Sequence, residues 1–255
     1  MQNKGTWYER YVQERGFFRY WGGLISRYLS HIKYEYYVSI ARRRGANIGH
    51  DVIITRKLAK KCNKNVKIGN HVSIETDKLD TRAPITIGNY VIIGRGTEIL
   101  TVSHNIDSPE WEAKYYGLTI DDYVWLPTNV LILPSCRKIG MGAVVGSGSV
   151  VVKNIEEMSV VSGNPAKEFR KRVCVHTALV VERLRHGDYK AYKETYKRRW
   201  VSLFKHRENQ NYSKGSSLHC SVVARQNVFW SLLLLSVLIC LEKWHLVKCR
   251  LSEIL

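Results

Sequence analysis

The stretch that decides the fold is ITIGNYVIIGRGTEI, residues 85–99, in which Ile87, Ile93 and Ile99 recur every six positions. Neither the 3.6-residue period of an amphipathic helix nor the two-residue alternation of an ordinary strand gives that spacing. The same period returns at Ile120, Leu126 and Ile132, and again at Ile139, Val145 and Val151 after a one-residue slip in Ser135-Cys136-Arg137-Lys138. Weaker copies begin at Ile48 (Ile-Gly-His-Asp-Val) and Ile68 (Ile-Gly-Asn-His-Val). A six-residue unit of this kind reads as a short strand and a turn, with the aliphatic side chain inward and Gly or Asn relaxing the corner. Three units close a triangular coil, and stacked coils bury an aliphatic column that no single coil could bury alone. The expectation is a β-solenoid over residues 47–166.

The flanks differ in character. Residues 1–46 are rich in aromatic and basic side chains, and Trp21, Ile25, Tyr28 and Ile32 fall on one helical face. That face is expected to pack on the main domain or a sister subunit, or to lie on a membrane surface. The repeat ends at Ser162-Gly163-Asn164-Pro165-Ala166-Lys167, because proline cannot donate to a ladder. A basic helical extension is expected over 167–207, then a polar linker and an apolar tail over 208–255. The apolar run Val228 to Leu241 has 14 residues, short of the roughly 20 needed to span a bilayer.

Composition narrows the function classes. With 45% hydrophobic and 24% charged residues the chain is not a disordered one. Forty Lys and Arg against 22 Asp and Glu give a formal charge of +18, which favours phosphate-bearing ligands, polyanions or anionic lipid. Nucleic-acid binding would rest on charge alone, and none is expected. The six cysteines form no CxxC pair, so neither a disulfide scaffold nor a zinc knuckle is expected. The absence of an apolar run after Met1 reads as no secretory signal, hence a cytoplasmic location, peripheral at the inner membrane face if the aromatic region attaches there.

The repeat breaks between Leu100 and Leu118, where Ser103-His104-Asn105-Ile106-Asp107-Ser108-Pro109-Glu110-Trp111 is polar and loop-like. Loops leaving a solenoid commonly carry its function, and an imidazole there is a base of near-neutral strength. Three motifs occur in order between residues 101 and 167: Thr101-Val102-Ser103-His104-Asn105-Ile106-Asp107; Asp122-Tyr123-Val124-Trp125-Leu126-Pro127-Thr128-Asn129-Val130; and Gly146-Ser147-Gly148-Ser149-Val150-Val151-Val152-Lys153-Asn154 with Gly163-Asn164-Pro165-Ala166-Lys167. Together they resemble the hexapeptide-repeat acetyltransferases, in particular the galactoside and maltose O-acetyltransferases and their capsular and exopolysaccharide relatives.

The resemblance implies a left-handed parallel β-helix, a homotrimer with active sites between subunits, and acetyl-CoA as acyl donor with no metal. It implies O-acetylation of a saccharide or lipid-linked glycan in polysaccharide biosynthesis, with His104 as general base in a direct transfer. Thr128 would stand near the thioester carbonyl as an oxyanion donor, or be only a corner residue. Trp125 would line the pantetheine tunnel, or simply pack. Gly146, Ser147, Lys153 and Lys167 match the end of the family's acetyl-CoA site, the two lysines approaching phosphates. Ser147 stands where the family usually has Ala, and Val152 where it has Thr, which removes one expected CoA contact. Glu75 or Asp107 would orient an acceptor hydroxyl or His104, or serve structure alone. The stretch Ser73-Ile74-Glu75-Thr76 lacks the Asn that helps hold small glycosides, so a free galactoside or maltose is disfavoured. The alternatives are an N-acyltransferase on an amino sugar nucleotide and a non-catalytic scaffold. A three-histidine zinc site through His71, His104 and His176 is disfavoured by spacing, and Cys136 as a nucleophile by the lack of a nearby His in sequence.

Overall fold

The computed structural model describes residues 7–196, all of them within one compact unit, Met1–Arg199. The last part of the basic extension, the linker over 208–220 and the apolar run over 228–241 lie outside the described residues.

The repeat region visits three sheets in fixed rotation. Ile85–Ile87 joins the first sheet, Ile92–Ile93 the second and Glu98–Ile99 the third; the next revolution repeats this with Leu118–Ile120, Trp125–Leu126 and Leu131–Ile132. A further revolution places Lys138–Ile139, Val144–Val145 and Val150–Val151 on the same three sheets in the same order. Successive strands of each sheet pair in parallel and in register, so each inward side chain rests on its equivalent in the next coil. Ile48, Ile68, Ile87, Ile120 and Ile139 form one ladder. Ile74, Ile93 and Leu126 form a second, and Leu79, Ile99, Ile132 and Val151 a third. All of these are buried, and full burial of one such side chain contributes roughly 1.5–3 kcal/mol.

The corner after the first sheet explains the Gly-Asn signature. A Cβ at Gly69 would stand 2.7 Å from the Gly88 carbonyl oxygen of the next coil, so only glycine lets the coils approach. Asn70 accepts from the His50 N–H (3.0 Å), Asn89 from the Asn70 N–H (2.8 Å) and Asp122 from the Asn89 N–H (2.6 Å), which satisfies the turn donors coil by coil. The next corner residues, Asp51, His71, Tyr90 and Tyr123, adopt left-handed φ of 55°, 55°, 58° and 59°. The rings of His71, Tyr90 and Tyr123 stack at 5.0 and 4.8 Å between centroids, and His176 closes the column edge-on at 5.8 Å. Stacking of this kind helps offset the backbone cost of those positions.

Several elements depart from expectation. The segment 103–111 belongs to a hairpin rather than a loop, because Val102–His104 pairs antiparallel with Ala113–Tyr115. The helical extension expected from residue 167 begins instead as a strand, Ala166–Lys171, folded antiparallel on Ser159–Gly163. Its residues beyond Ala166 are exposed, so it carries no apolar alternation that would mark it as a strand. Among the described residues, α-helix follows at Ala178–Arg183 and 189–196, with a 3-10 turn at Leu184–His186 between them. A short helix, Arg56–Lys61, interrupts the early coils and is N-capped by the Thr55 hydroxyl.

The N-terminal region folds as α1 (Trp7–Gln13) and α2 (Phe17–Arg43). The buried face of α2 runs through Tyr20, Trp21, Leu24, Arg27, Tyr28, Tyr34, Val38 and Ala41. The predicted face is thus partly displaced: Trp21 and Tyr28 are buried, whereas Ile25 is 41% exposed. Tyr20 stacks between Tyr192 and Tyr196. Arg27 pairs with Asp188 at 2.8 Å, and the Tyr8 hydroxyl donates to the same carboxylate at 2.8 Å. No helix among the described residues is long and apolar enough to cross a membrane.

Candidate active site

The hairpin leaves the stack after the third sheet at Leu100 and returns to the first at Leu118. It stands at the corner between those sheets and brings His104 into solvent. His104 Nδ1 lies 2.8 Å from the Trp111 carbonyl oxygen, and the two rings stack at 5.5 Å with 17° between planes. A carbonyl only accepts, so Nδ1 carries the hydrogen and Nε2 keeps its lone pair. The hairpin holds this geometry with its own bonds: the Asn105 N–H donates to Glu112 O (2.9 Å), the Trp111 N–H to Ser108 O (3.1 Å) and Lys114 Nζ to Asn105 Oδ1 (2.9 Å). An outward imidazole with a fixed tautomer can accept a proton from a hydroxyl delivered at the hairpin face.

The other expected site residues fall on different parts of the stack. Trp125 lies on the second sheet beside Ile92 and Val144, pointing outward and 44% exposed. Thr128 occupies the corner between the second and third sheets, where its carbonyl accepts the Gly148 N–H at 3.1 Å. Gly146 and Ser147 form the same corner one coil later, and Ser147 is exposed. Lys153 follows the third sheet and sits, exposed, at the corner from which the hairpin leaves one coil pair earlier. Lys167 is exposed on the antiparallel closing strand. Asp107 is exposed at the hairpin tip.

Glu75 is engaged elsewhere: its carboxylate meets Arg95 Nε at 3.2 Å and Arg185 Nε at 3.5 Å. Within one chain, then, His104 stands on one edge of the three-sided stack and the Trp125, Thr128 and Ser147 group on another face and edge.

Two rival chemistries fare poorly on geometry. Cys136 is buried and burial pushes its thiol up to about 11, which leaves little thiolate at neutral pH. His50, Asp51 and His71 bring three ligand atoms within 4.8 Å of one another. However, both Asp51 carboxylate oxygens are already engaged, one by His50 Nδ1 at 2.8 Å and the other by Lys190 Nζ at 2.7 Å. His176 is committed to the ring column: its Nε2 donates to the Tyr90 carbonyl at 2.7 Å while Arg172 approaches Nδ1 at 3.2 Å.

No family model matches the chain. A Schizosaccharomyces pombe protein named as an acetyltransferase is 38% identical over 95 residues, 35% of this chain and 44% of its own length. The chain therefore spans less than half of that relative. The Escherichia coli K12 protein WcaF, named as a colanic acid biosynthesis acetyltransferase, is 31% identical over 143 residues, 56% of this chain and 78% of WcaF. Among solved structures, the hexapeptide-repeat acetyltransferase VCA0836 of Vibrio cholerae aligns with a TM-score of 0.49 at 25% identity, over 66% of this chain and 94% of its own. On the extent of the match to WcaF, this chain belongs to the hexapeptide-repeat acetyltransferases.

Proposed function

We propose that the protein moves an acetyl group from acetyl-CoA to a hydroxyl of a saccharide, with His104 as the general base. The observation that carries this reading is the His104 imidazole, outward on its hairpin, with Nδ1 held by the Trp111 carbonyl at 2.8 Å and Nε2 left to accept. The donor substrate supplies an acyl carbon activated as a thioester. His104 Nε2 takes the acceptor hydroxyl proton as that oxygen bonds to the acyl carbon, and the C–S bond breaks as the carbonyl re-forms. The imidazolium then returns its proton to the departing thiolate. Thr128 is the hydroxyl assigned to the developing oxyanion. Exposed Trp125 gives an apolar surface for pantetheine, Gly146 and Ser147 the narrow corner beside it, and Lys153 and Lys167 the cations for phosphate.

The stack is read as a left-handed parallel β-helix and the enzyme as a homotrimer. The separation of His104 from the Thr128 edge supports this, because a threefold arrangement brings unlike edges of neighbouring chains together. Exposed Trp111 and Tyr115 on the hairpin, at 55% and 62%, are the kind of side chain a neighbouring copy would cover. The acceptor is read as a glycan at an anionic membrane surface. The outer face of α2 supports that: Phe18, Leu29 and Tyr36 are 88%, 61% and 57% exposed, with exposed Arg19 on the same helix.

The test is thiol release from acetyl-CoA across a panel of saccharide, lipid-linked and amino-sugar nucleotide acceptors, with products read by mass spectrometry. His104→Ala should lose about a thousandfold in kcat while still binding acetyl-CoA. Unchanged turnover removes the mechanism. Co-assembly of His104→Ala with Thr128→Ala chains should restore turnover that neither variant has alone, and failure to restore it would overturn the shared site.

A further inference from the structure

A cleft of about 500 Å³ lies away from the hairpin, between α2, the first coils and the segment at 185–186. Lys33, Arg56, Arg185 and His186 line it together with Tyr34 and Tyr37, and no carboxylate is among its lining residues. Like-signed groups gathered in one concavity raise the local potential and favour an anion. The cleft wall is also built at a backbone cost. Arg185 and His186 are consecutive non-glycine residues with left-handed φ of 53° and 61°, a conformation that L side chains rarely adopt. α2 pins both: the Tyr34 hydroxyl donates to Arg185 O at 3.3 Å, and Ser26 Oγ meets His186 Nδ1 at 3.0 Å.

Arg185 also ties the cleft to the proposed donor corner. Its Nε pairs with Glu75 at 3.5 Å, Glu75 pairs in turn with Arg95 at 3.2 Å, and the Arg95 carbonyl accepts the N–H of Asn129, the residue after Thr128, at 2.9 Å. One Glu75 contact leaves the other donors of the Arg185 guanidinium for a ligand. Three cations and an imidazole exceed what a single carboxylate would engage; Lys33 Nζ sits 4.5 Å over the buried Tyr34 ring, and the half-buried Tyr37 ring offers apolar surface that a bare inorganic ion would not use.

We propose that this cleft binds the diphosphate group of an organic diphosphate, the carrier end of the saccharide acceptor. Its assignment to the acceptor rests on the acyl-transfer reading above, whereas the binding itself does not. Two sources share this chemistry, a nucleoside diphosphate and a prenyl diphosphate.

Isothermal titration of the full chain with UDP, geranyl diphosphate and orthophosphate, at fixed ionic strength and with saturating acetyl-CoA, separates the cases. One site per chain for UDP or geranyl diphosphate is expected, and the one that binds names the carrier. Arg56→Ala and Lys33→Ala should each weaken that binding at least tenfold and leave acetyl-CoA affinity unchanged, whereas Arg82→Ala, whose side chain pairs with Asp80, should not alter it. Binding of neither diphosphate, competition by acetyl-CoA, equal binding of orthophosphate, or equal weakening by Arg82→Ala would overturn the proposal. Loss of acetyl-CoA binding with the diphosphate site intact would count against the acyl-transfer reading alone.

Discussion

The coil stack and the hairpin at its side are made by opposite means. In the stack, Ile87 and Ile120 are 2% and 0% exposed, and turn donors are met by the coil beyond, so each revolution depends on its neighbours. In the hairpin, Ala113–Tyr115 is exposed throughout, Ile106 is 73% exposed, and the chain closes its hydrogen bonds on itself. Burial makes the stack a rigid frame; local bonding lets the hairpin hold the His104 imidazole outward without being part of the core. Stability and chemistry should therefore respond to different residues.

The contrast can be broken most directly at Ile120. Ile120→Ala leaves a void between Ile87 and Ile139 and should cost about 3 kcal/mol in urea unfolding; a cost near zero would mean that the ladder is not the core. Arg27→Met should cost a similar ~3 kcal/mol by stranding the fully buried Asp188 carboxylate, and Asp188→Asn in the same background should recover part of it. Trp111→Ala sharpens the other side: it removes the ring under His104 but keeps the carbonyl, so turnover should fall about tenfold (~1.4 kcal/mol) with the melting temperature unchanged.

The smallest effect concerns His176, whose imidazole is held below its ordinary value by burial, with Arg172 adding to the shift. Its folded form resists a proton that the unfolded chain accepts, so stability should decline as pH falls below about 6.5 and level off once the folded ring also titrates. His176→Gln should flatten that slope in melts taken across the same range. An identical slope in the variant would assign it to other groups.

The stack was legible because its ladders have a fixed period: Ile87, Ile93 and Ile99 announce three faces by spacing alone. Strands such as Val102–His104 and Ala113–Tyr115 bury nothing, so no alternation marks them and the hairpin reads as loop. The same holds for Ala166–Lys171, a charged strand that reads as the start of a basic helix. On α2 the periodicity was present but ambiguous, since Phe18, Ile25, Leu29 and Tyr36 form an apolar stripe outside while Tyr20, Trp21, Leu24 and Tyr28 form another inside. His104 could be singled out by its position in a break of the repeat. The cleft could not, because Lys33, Arg56 and Arg185 come from three distant segments with no shared spacing.

The strand Ala166–Lys171 has one more consequence. A column of parallel coils would otherwise end in a ready template, and identical molecules could add tip to tip without limit. By doubling back on Ser159–Gly163 and presenting Lys167, Glu168, Arg170 and Lys171 outward, the chain closes the second sheet with charge and reversed direction, which disfavours tip-to-tip addition along that face.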